Sequence, residues 1–237
     1  MPSLSANAPS QLASGFSGEA YSWDVIGDLL AEPIQLPFPV ELHLMRHGET
    51  EANARSLVTG AQDSPLTALG REQARAVGRL LDPRYDVAIH SRLSRSAETL
   101  RLAIDAGHVA VGAVHADAHL NERSLGELEL TPVRPIEEFA RGDFNYAPGG
   151  GDSYADVTRR LLSFLLDLAR FVRRTGTAAV LLCGHMGPMR ILAGIFEGQC
   201  DPSRVLARSF RNTEVLRVRW DRLAFPAFLS GVAARSA

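Results

Sequence analysis

Residues 178–183, Ala-Ala-Val-Leu-Leu-Cys, carry no polar side chain, and that run limits the architecture of the chain more than any other stretch. It has the length of a strand, and a strand with no polar face belongs to a mainly parallel sheet covered on both sides. Strand and helix patterns alternate around it. Residues 40–45 read as the first strand, interrupted only by Glu41 and His43, after the turn signals Pro33, Pro37 and Pro39. Past residues 65–70, Ala74, Val77, Leu80 and Leu81 fall at helical spacing; residues 86–90 read as a second strand and residues 95–106 as a helix. Beyond a loop-rich middle section, residues 153–174 set Val157, Leu161, Phe164, Leu165, Leu168 and Val172 on one face of a long helix. A further helix follows Pro188, and residues 214–220 alternate as a last strand. These elements imply an α/β fold, a three-layer sandwich with a mostly parallel central sheet flanked by helices.

For 237 residues with 46% apolar content, one globular domain is expected over residues 37–237, after an extension over residues 1–36. Residues 1–20 read as a mobile arm rich in Ser, Ala, Gly and Asn. Trp23, Ile26, Leu29 and Leu30 then mark a short helix that would dock on the domain or on a partner. The extension is expected to stand outside the catalytic unit. The 25 basic residues are all arginine, which excludes Schiff-base chemistry and a P-loop lysine but leaves arginine's planar fork for phosphate oxygens. A net charge of −2 and a pI of about 6.4 give no basic field, so neither nucleic acid nor membrane is an expected partner. Cys183 and Cys200 lack CxxC spacing, and the N-terminus has no secretory pattern, so a reduced, cytoplasmic setting is expected.

In open parallel sheets, ligands bind beyond the carboxyl ends of the strands. Arg46-His47-Gly48-Glu49-Thr50 follows the first strand, Ser91-Arg92-Leu93-Ser94-Arg95 the second, and Gly184-His185-Met186-Gly187 the apolar one. Two histidines and two arginines at one sheet edge make a phosphate site by composition. A nucleophile attacking a phosphate monoester meets a dianion, so positive charge must neutralise the phosphoryl oxygens, and Arg46, Arg95 and His185 can supply it. A neutral imidazole, with an ordinary pKa of about 6.5, needs no separate base, which makes His47 the candidate nucleophile. Gly48 lets the backbone come close to a bound anion. The leaving alcohol needs a proton, for which Glu122 in Leu120-Asn121-Glu122-Arg123 is the candidate donor.

Joined by Asn53, Asp63-Ser64-Pro65-Leu66-Thr67, Gly70 and Gln73-Ala74, the first of these segments resembles the N-terminal signature of the histidine phosphatase superfamily, also called the phosphoglycerate mutase-like family. Ser91, Leu93, Arg95 and Thr99 resemble its second signature, Leu120-Asn121-Glu122 its acid segment, and Gly184-His185 through Arg190 its C-terminal histidine motif. The resemblance implies a phosphoglycerate mutase-like fold, phosphorylation of His47, a phosphate pocket of Arg46, Arg95, His185 and Asn53, and Glu122 as proton donor and later base. It implies no metal, no cofactor and a small phosphorylated metabolite as substrate.

Three positions depart from the family pattern. Met186-Gly187 stands for Gly-Gly after the second histidine, Glu129-Leu130 for Glu-Gly, and Asp152-Ser153 for Glu-Ser. Met186 would edge the pocket and Pro188 start the following helix. Glu122 and His185 are 63 positions apart, a short spacing similar to the phosphatase branch rather than to mutases with an insertion there, so phosphatase activity is expected. Leu120-Asn121-Glu122-Arg123 itself resembles the mutase form, which keeps phosphoglycerate mutase-type transfer as the alternative and a non-catalytic phosphate-binding scaffold as a third class. Arg123, Arg134 and Arg141 serve equally well as a site for a second anionic group or as a solvated basic face.

Overall fold

Alternate residues of a strand face opposite ways, and in the apolar run both ways lead into a core. In the computed structural model, which describes residues 20–30, 32–226, Leu229 and Val232, the run forms a strand whose Val180 and Leu182 enter one apolar cluster and whose Leu181 and Cys183 enter another. The strands are β1 (Ile34–Arg46), β2 (Arg84–His90), β3 (Ala110–Ala116), β4 (Ala179–Gly184) and β5 (Val215–Leu223), in the sheet order β3-β2-β4-β1-β5. All neighbours are parallel except β1 and β5. The helices are α1 (Trp23–Leu30), α2 (Glu51–Ala54), α3 (Ala68–Gly78), α4 (Ser94–Gly107), α5 (Glu137–Ala140), α6 (Tyr154–Thr175), α7 (Met186–Phe196) and α8 (Pro202–Ala207). α3 and α4 cover the face that holds Met45, Ala88, Leu181 and Cys183, while α1, α6 and α7 pack over Leu42, Leu44, Val180 and Leu182. The sandwich of helices around a mostly parallel sheet is therefore the one the sequence pattern implies.

Local chemistry sets the long helix α6. Ser153 Oγ accepts from the Asp156 N–H and the Asp156 carboxylate returns to the Ser153 N–H, a capping box. Gly176 ends the helix at φ 73°, a left-handed conformation that costs glycine nothing. The stripe between them, Val157, Leu161, Phe164, Leu165, Leu168 and Val172, is buried. Each of these side chains contributes roughly 1.5–3 kcal/mol relative to exposure.

Several elements differ from expectation. β1 starts at Ile34 rather than residue 40, so the boundary expected between residues 36 and 37 falls inside it, and Ile34 and Leu36 are buried. Pro37 and Pro39 are accommodated because β4 pairs with β1 only from Glu41 onward, and the β5 register shifts between Gln35 and Val40. Leu80, beyond the end of α3, is 74% exposed. β3 has no counterpart in the sequence pattern because Ala-Val-Gly-Ala-Val-His-Ala is an edge strand of small residues with no run of large apolar ones. α7 begins at Met186, two residues before Pro188, which still falls in the first turn, where an N–H has no intrahelical acceptor. In the extension, Trp23 and Ile26 are buried in the larger core. The side chains of Leu29 and Leu30, and the arm before Ala20, lie outside the described residues.

The Glu129-Leu130 departure has a backbone cost. Leu130 sits at φ 62° and is 56% exposed, so a β-carbon is held in the left-handed region with little burial in return. Replacing Leu130 by Gly should stabilise the fold by about 0.5–1 kcal/mol, the relief of strain less the added freedom of glycine in the unfolded chain. Urea denaturation measures it; an unchanged or lower midpoint would show that the leucine contacts outweigh the strain.

Candidate functional site

Strand register assembles the site. Arg46 lies opposite Gly184 and His90 opposite Cys183, so the chain leaves the three central strands at one level, at His47, Ser91 and His185. The ladder continues one step further, with the His47 N–H donating to Gly184 O (3.0 Å) and the Ser91 N–H to Cys183 O (3.1 Å). The His47 and His185 rings end 5.0 Å apart between centroids, tilted by 56°, and both are buried. The thiol of Cys183 below them is no rival nucleophile, since burial pushes its pKa up to about 12.

Hydrogen bonding assigns the tautomers. His47 Nδ1 is 2.7 Å from Gly48 O, an obligate acceptor, so Nδ1 carries the proton and Nε2 keeps its lone pair. Arg95 Nε, an obligate donor, is 3.2 Å from His185 Nδ1, which therefore accepts, leaving Nε2–H to donate to Ser91 Oγ at 2.6 Å. Burial first, and then neighbouring arginines, hold both imidazoles well below their ordinary pKa, so both are neutral near pH 7. His185, expected among the suppliers of positive charge, is thus a neutral ring fixed by Arg95 and Ser91, and charge is left to the arginines.

The guanidinium of Arg95 is buried, with Nη1 donating to Gln62 O (2.7 Å) and Nη2 to Gly60 O (2.8 Å). Arg46 Nη1 donates to Phe210 O (2.6 Å). Glu122 lies over the start of α7, where the Gly187 N–H donates to both carboxylate oxygens at 3.2 Å, and the Arg123 N–H donates to Oε1 at 2.8 Å. A β-carbon on Gly187 would overlap Glu122 Oε1, so of the two positions after His185 this is the one where a side chain would displace the Glu122 carboxylate. Met186 beside it is half-buried, its sulfur accepting from the Phe210 N–H (3.2 Å). Burial depresses the pKa of Arg46, Arg95, Arg123 and Arg160, and Glu122 is the carboxylate whose field reaches all four.

Other candidates sort themselves by contact. The Asn53 side chain accepts from the Thr50 N–H (3.3 Å), which fixes Oδ1 as the acceptor and turns Nδ2 the other way. The N–H of Gly48 is taken by Thr99 Oγ1 (3.0 Å), and a β-carbon at Gly48 would stand 2.5 Å from Gly70 O, so the close approach that demands glycine here is to Gly70. Arg123 is buried between the rings of Phe139 (4.2 Å) and Tyr154 (4.0 Å), with Nη1 lacking a hydrogen-bond partner among the described residues. Arg134 and Arg141 are exposed, and Arg141 pairs with Glu137, so the three arginines do not share one environment.

Two contributors were absent from the sequence reading. Asn212 Nδ2 donates to His47 O (3.1 Å) and to Asn53 Oδ1 (3.4 Å), so it braces both. Arg160 Nη1 donates to the carbonyls of Ala118 (3.3 Å), His119 (3.0 Å) and Asn121 (2.5 Å), pinning the turn that presents Glu122. Asn212 reaches the site because β5 runs antiparallel, so its amino end, not its carboxyl end, meets the site edge.

A family model of the histidine phosphatase superfamily (branch 1) matches residues 42–226. A 2,3-bisphosphoglycerate-dependent phosphoglycerate mutase from Mesorhizobium japonicum is 33% identical over 170 residues, covering 67% of this chain and 82% of that protein. A glucosyl-3-phosphoglycerate phosphatase from Mycolicibacterium vanbaalenii is 34% identical over 169 residues, 66% of this chain and 74% of that protein. A solved phosphoglycerate mutase from Bacillus anthracis shares the fold, with a TM-score of 0.68 at 18% identity over 84% of this chain and 96% of its own.

The buried neutral histidines give stability a sign with pH. His43, His47 and His185 all have pKa values lowered by burial from 6.5, so the unfolded chain takes up protons before the folded one does. Their contribution is complete above pH 6.5 and is lost as pH falls toward the folded values. Urea midpoints should drop between pH 7.5 and pH 5.5, by roughly 1 kcal/mol for each imidazole that stays neutral in the fold. A flat profile would mean that these rings are protonated in the folded protein.

Proposed function

The chain belongs to the histidine phosphatase superfamily, branch 1, and on that premise we propose that it hydrolyses a small phosphate monoester through a phosphohistidine on His47. The observation that carries this reading is the tautomer of His47: with Nδ1–H held by Gly48 O, the Nε2 lone pair is free and the ring is neutral. Nε2 attacks phosphorus, the bond from phosphorus to the ester oxygen breaks, and Glu122 gives that oxygen its proton. Water then attacks the phosphohistidine, Glu122 takes the proton back, and inorganic phosphate leaves with His47 restored. Arg95, buried, and Arg46, half-buried, share Glu122 as counter-charge and balance the negative charge of the phosphoryl group, with Asn53 Nδ2 as a further donor. His185 orients rather than neutralises. A small phosphorylated metabolite, with no metal and no cofactor, suffices for this chemistry.

A rapid acid-avoiding quench with labelled substrate should capture acid-labile phosphate on the wild type and none on His47→Ala, whose turnover should fall by several orders of magnitude. Label that persists in the variant would move the nucleophile elsewhere.

Transfer to a second hydroxyl is the competing reading, favoured by the mutase name of the Mesorhizobium japonicum relative. Hydrolysis is supported by the short path from Glu122 to His185, whose only α-helices are the four-residue α5 and the core helix α6 before β4. With 3-phosphoglycerate the expected product is free phosphate or nothing. Efficient formation of 2-phosphoglycerate, primed by 2,3-bisphosphoglycerate, would replace hydrolysis by mutase chemistry.

A further inference from the structure

The family match begins at residue 42, yet chain before it is built into the fold beside the site. Tyr21 is held on α6 at four points. Its N–H donates to Ser163 Oγ (2.9 Å) and its hydroxyl to Asp167 Oδ1 (2.6 Å), while Arg159 donates to its carbonyl (3.2 Å) and Arg170 to its hydroxyl (2.5 Å). Behind it Trp23 and Ile26 are sunk in the core. The next residue of α6 after Arg159, Arg160, is the one that grips the carbonyls ahead of Glu122. One helix thus carries the N-terminal segment and the segment of the proton donor side by side. A cavity of about 430 Å³ opens between them, lined by Ala20, Leu93, Asn121, Glu122, Arg159 and Arg160 among others.

A leaving group protonated by Glu122 must lie against that carboxylate, on the far side of the breaking bond from His47. We propose that this cavity is the leaving-group subsite and that Ala20, held in place by the anchored Tyr21 next to it, forms its outer wall, which makes the N-terminal segment a determinant of the esters accepted. The inference rests on Glu122 being the proton donor. It departs from the expectation that the extension stands outside the catalytic unit, for the physical reason that Tyr21 is bonded to the helix that shapes the cavity. The lining also sets the ligand class. Arg159 and Arg160 face Asp152, Asp156 and Glu122, with Asn121 adding an amide. A lining with no surplus of positive charge and many donors and acceptors suits an uncharged, hydroxyl-rich leaving group of polyol or sugar size, whereas an aryl group would strip water from those polar groups without replacing its bonds.

The full-length chain tests this with three esters, methyl phosphate, sorbitol 6-phosphate and glucose 6-phosphate, and with vanadate as a probe of the phosphoryl site alone. Ala20→Trp, which fills the cavity from the wall, should lower the ratio of kcat/KM for the polyol and sugar esters to that for methyl phosphate about tenfold, in the range that misfit in a pocket produces. Tyr21→Ala, which releases the wall, should move the same ratio the other way, and it stands in should the tryptophan variant fail to fold. Equal loss on all three esters, or no change in the ratio for either variant, overturns the subsite. A wild type active on methyl phosphate but on neither larger ester overturns the ligand class. A wild type that releases phosphate from none of the three, resists vanadate and takes no label on His47 removes the hydrolase reading, and the subsite with it.

Discussion

The parallel pairing of β1 with β4, Arg46 opposite Gly184, is the contact on which the site depends. Neither strand could hold that register through apolar alternation alone, because both faces of the sheet are apolar. The polar residues of β1 break the tie. His43 faces the smaller core, where Tyr85 OH meets its Nδ1 at 2.5 Å and Asp82 lies 3.6 Å from its Nε2. A slip by one residue would drive that imidazole under α6 with no partner, a penalty of about 1–3 kcal/mol for the lost bond alone. His47 and His185 stay 5.0 Å apart because a histidine four residues upstream cannot move.

Burial then does the electrostatic work. Four guanidiniums, those of Arg46, Arg95, Arg123 and Arg160, are desolvated around Glu122, whose field reaches all four, with Asp63 beside Arg95 and Asp152 acting on Arg123 and Arg160. Removing cations from water costs free energy that these carboxylates do not fully offset, since desolvation still lowers the pKa of all four, so the arrangement favours a further negative charge. Burial, and after it the same arginines, keep His47 and His185 from protonating. A surrounding that favours an anion and two imidazoles that stay neutral are two consequences of one arrangement.

The loop of Phe210, Asn212 and Thr213 serves as a second tier. It accepts from Arg46, donates through Asn212 to His47 O, and donates through the Thr213 N–H to Arg46 O at 3.1 Å. The loop reaches the site because β5 enters the sheet antiparallel to β1. The rule that ligands lie past the carboxyl ends of strands led to His47, Ser91 and His185, and led past Asn212 for that reason. Similarly, Arg160 reads in the sequence as one charge on a helix surface, and only the fold shows its head buried under the turn before Glu122.

What the sequence determined by itself was whatever depends on near neighbours in the chain. The bare apolar run required a strand covered on both faces, the period of α6 and its Ser153 cap required a helix there, and the order of Arg46-His47-Gly48, Arg95, Glu122 and His185 identified the family. The tertiary structure decided what depends on partners distant in the chain: that His185 is neutral, because it is buried and Arg95 Nε, 90 positions away, donates to it; that Gly187, rather than the residue at 186, is where a side chain would displace Glu122, because that carboxylate rests on it; and that Tyr21 lies on α6, because Ser163 and Asp167 receive it. A pattern of residue types records which groups are present and how each segment folds locally. Protonation, burial and the walls of a cavity are set by atoms that meet only after the chain has closed on itself, and no spacing along the chain encodes those meetings one at a time.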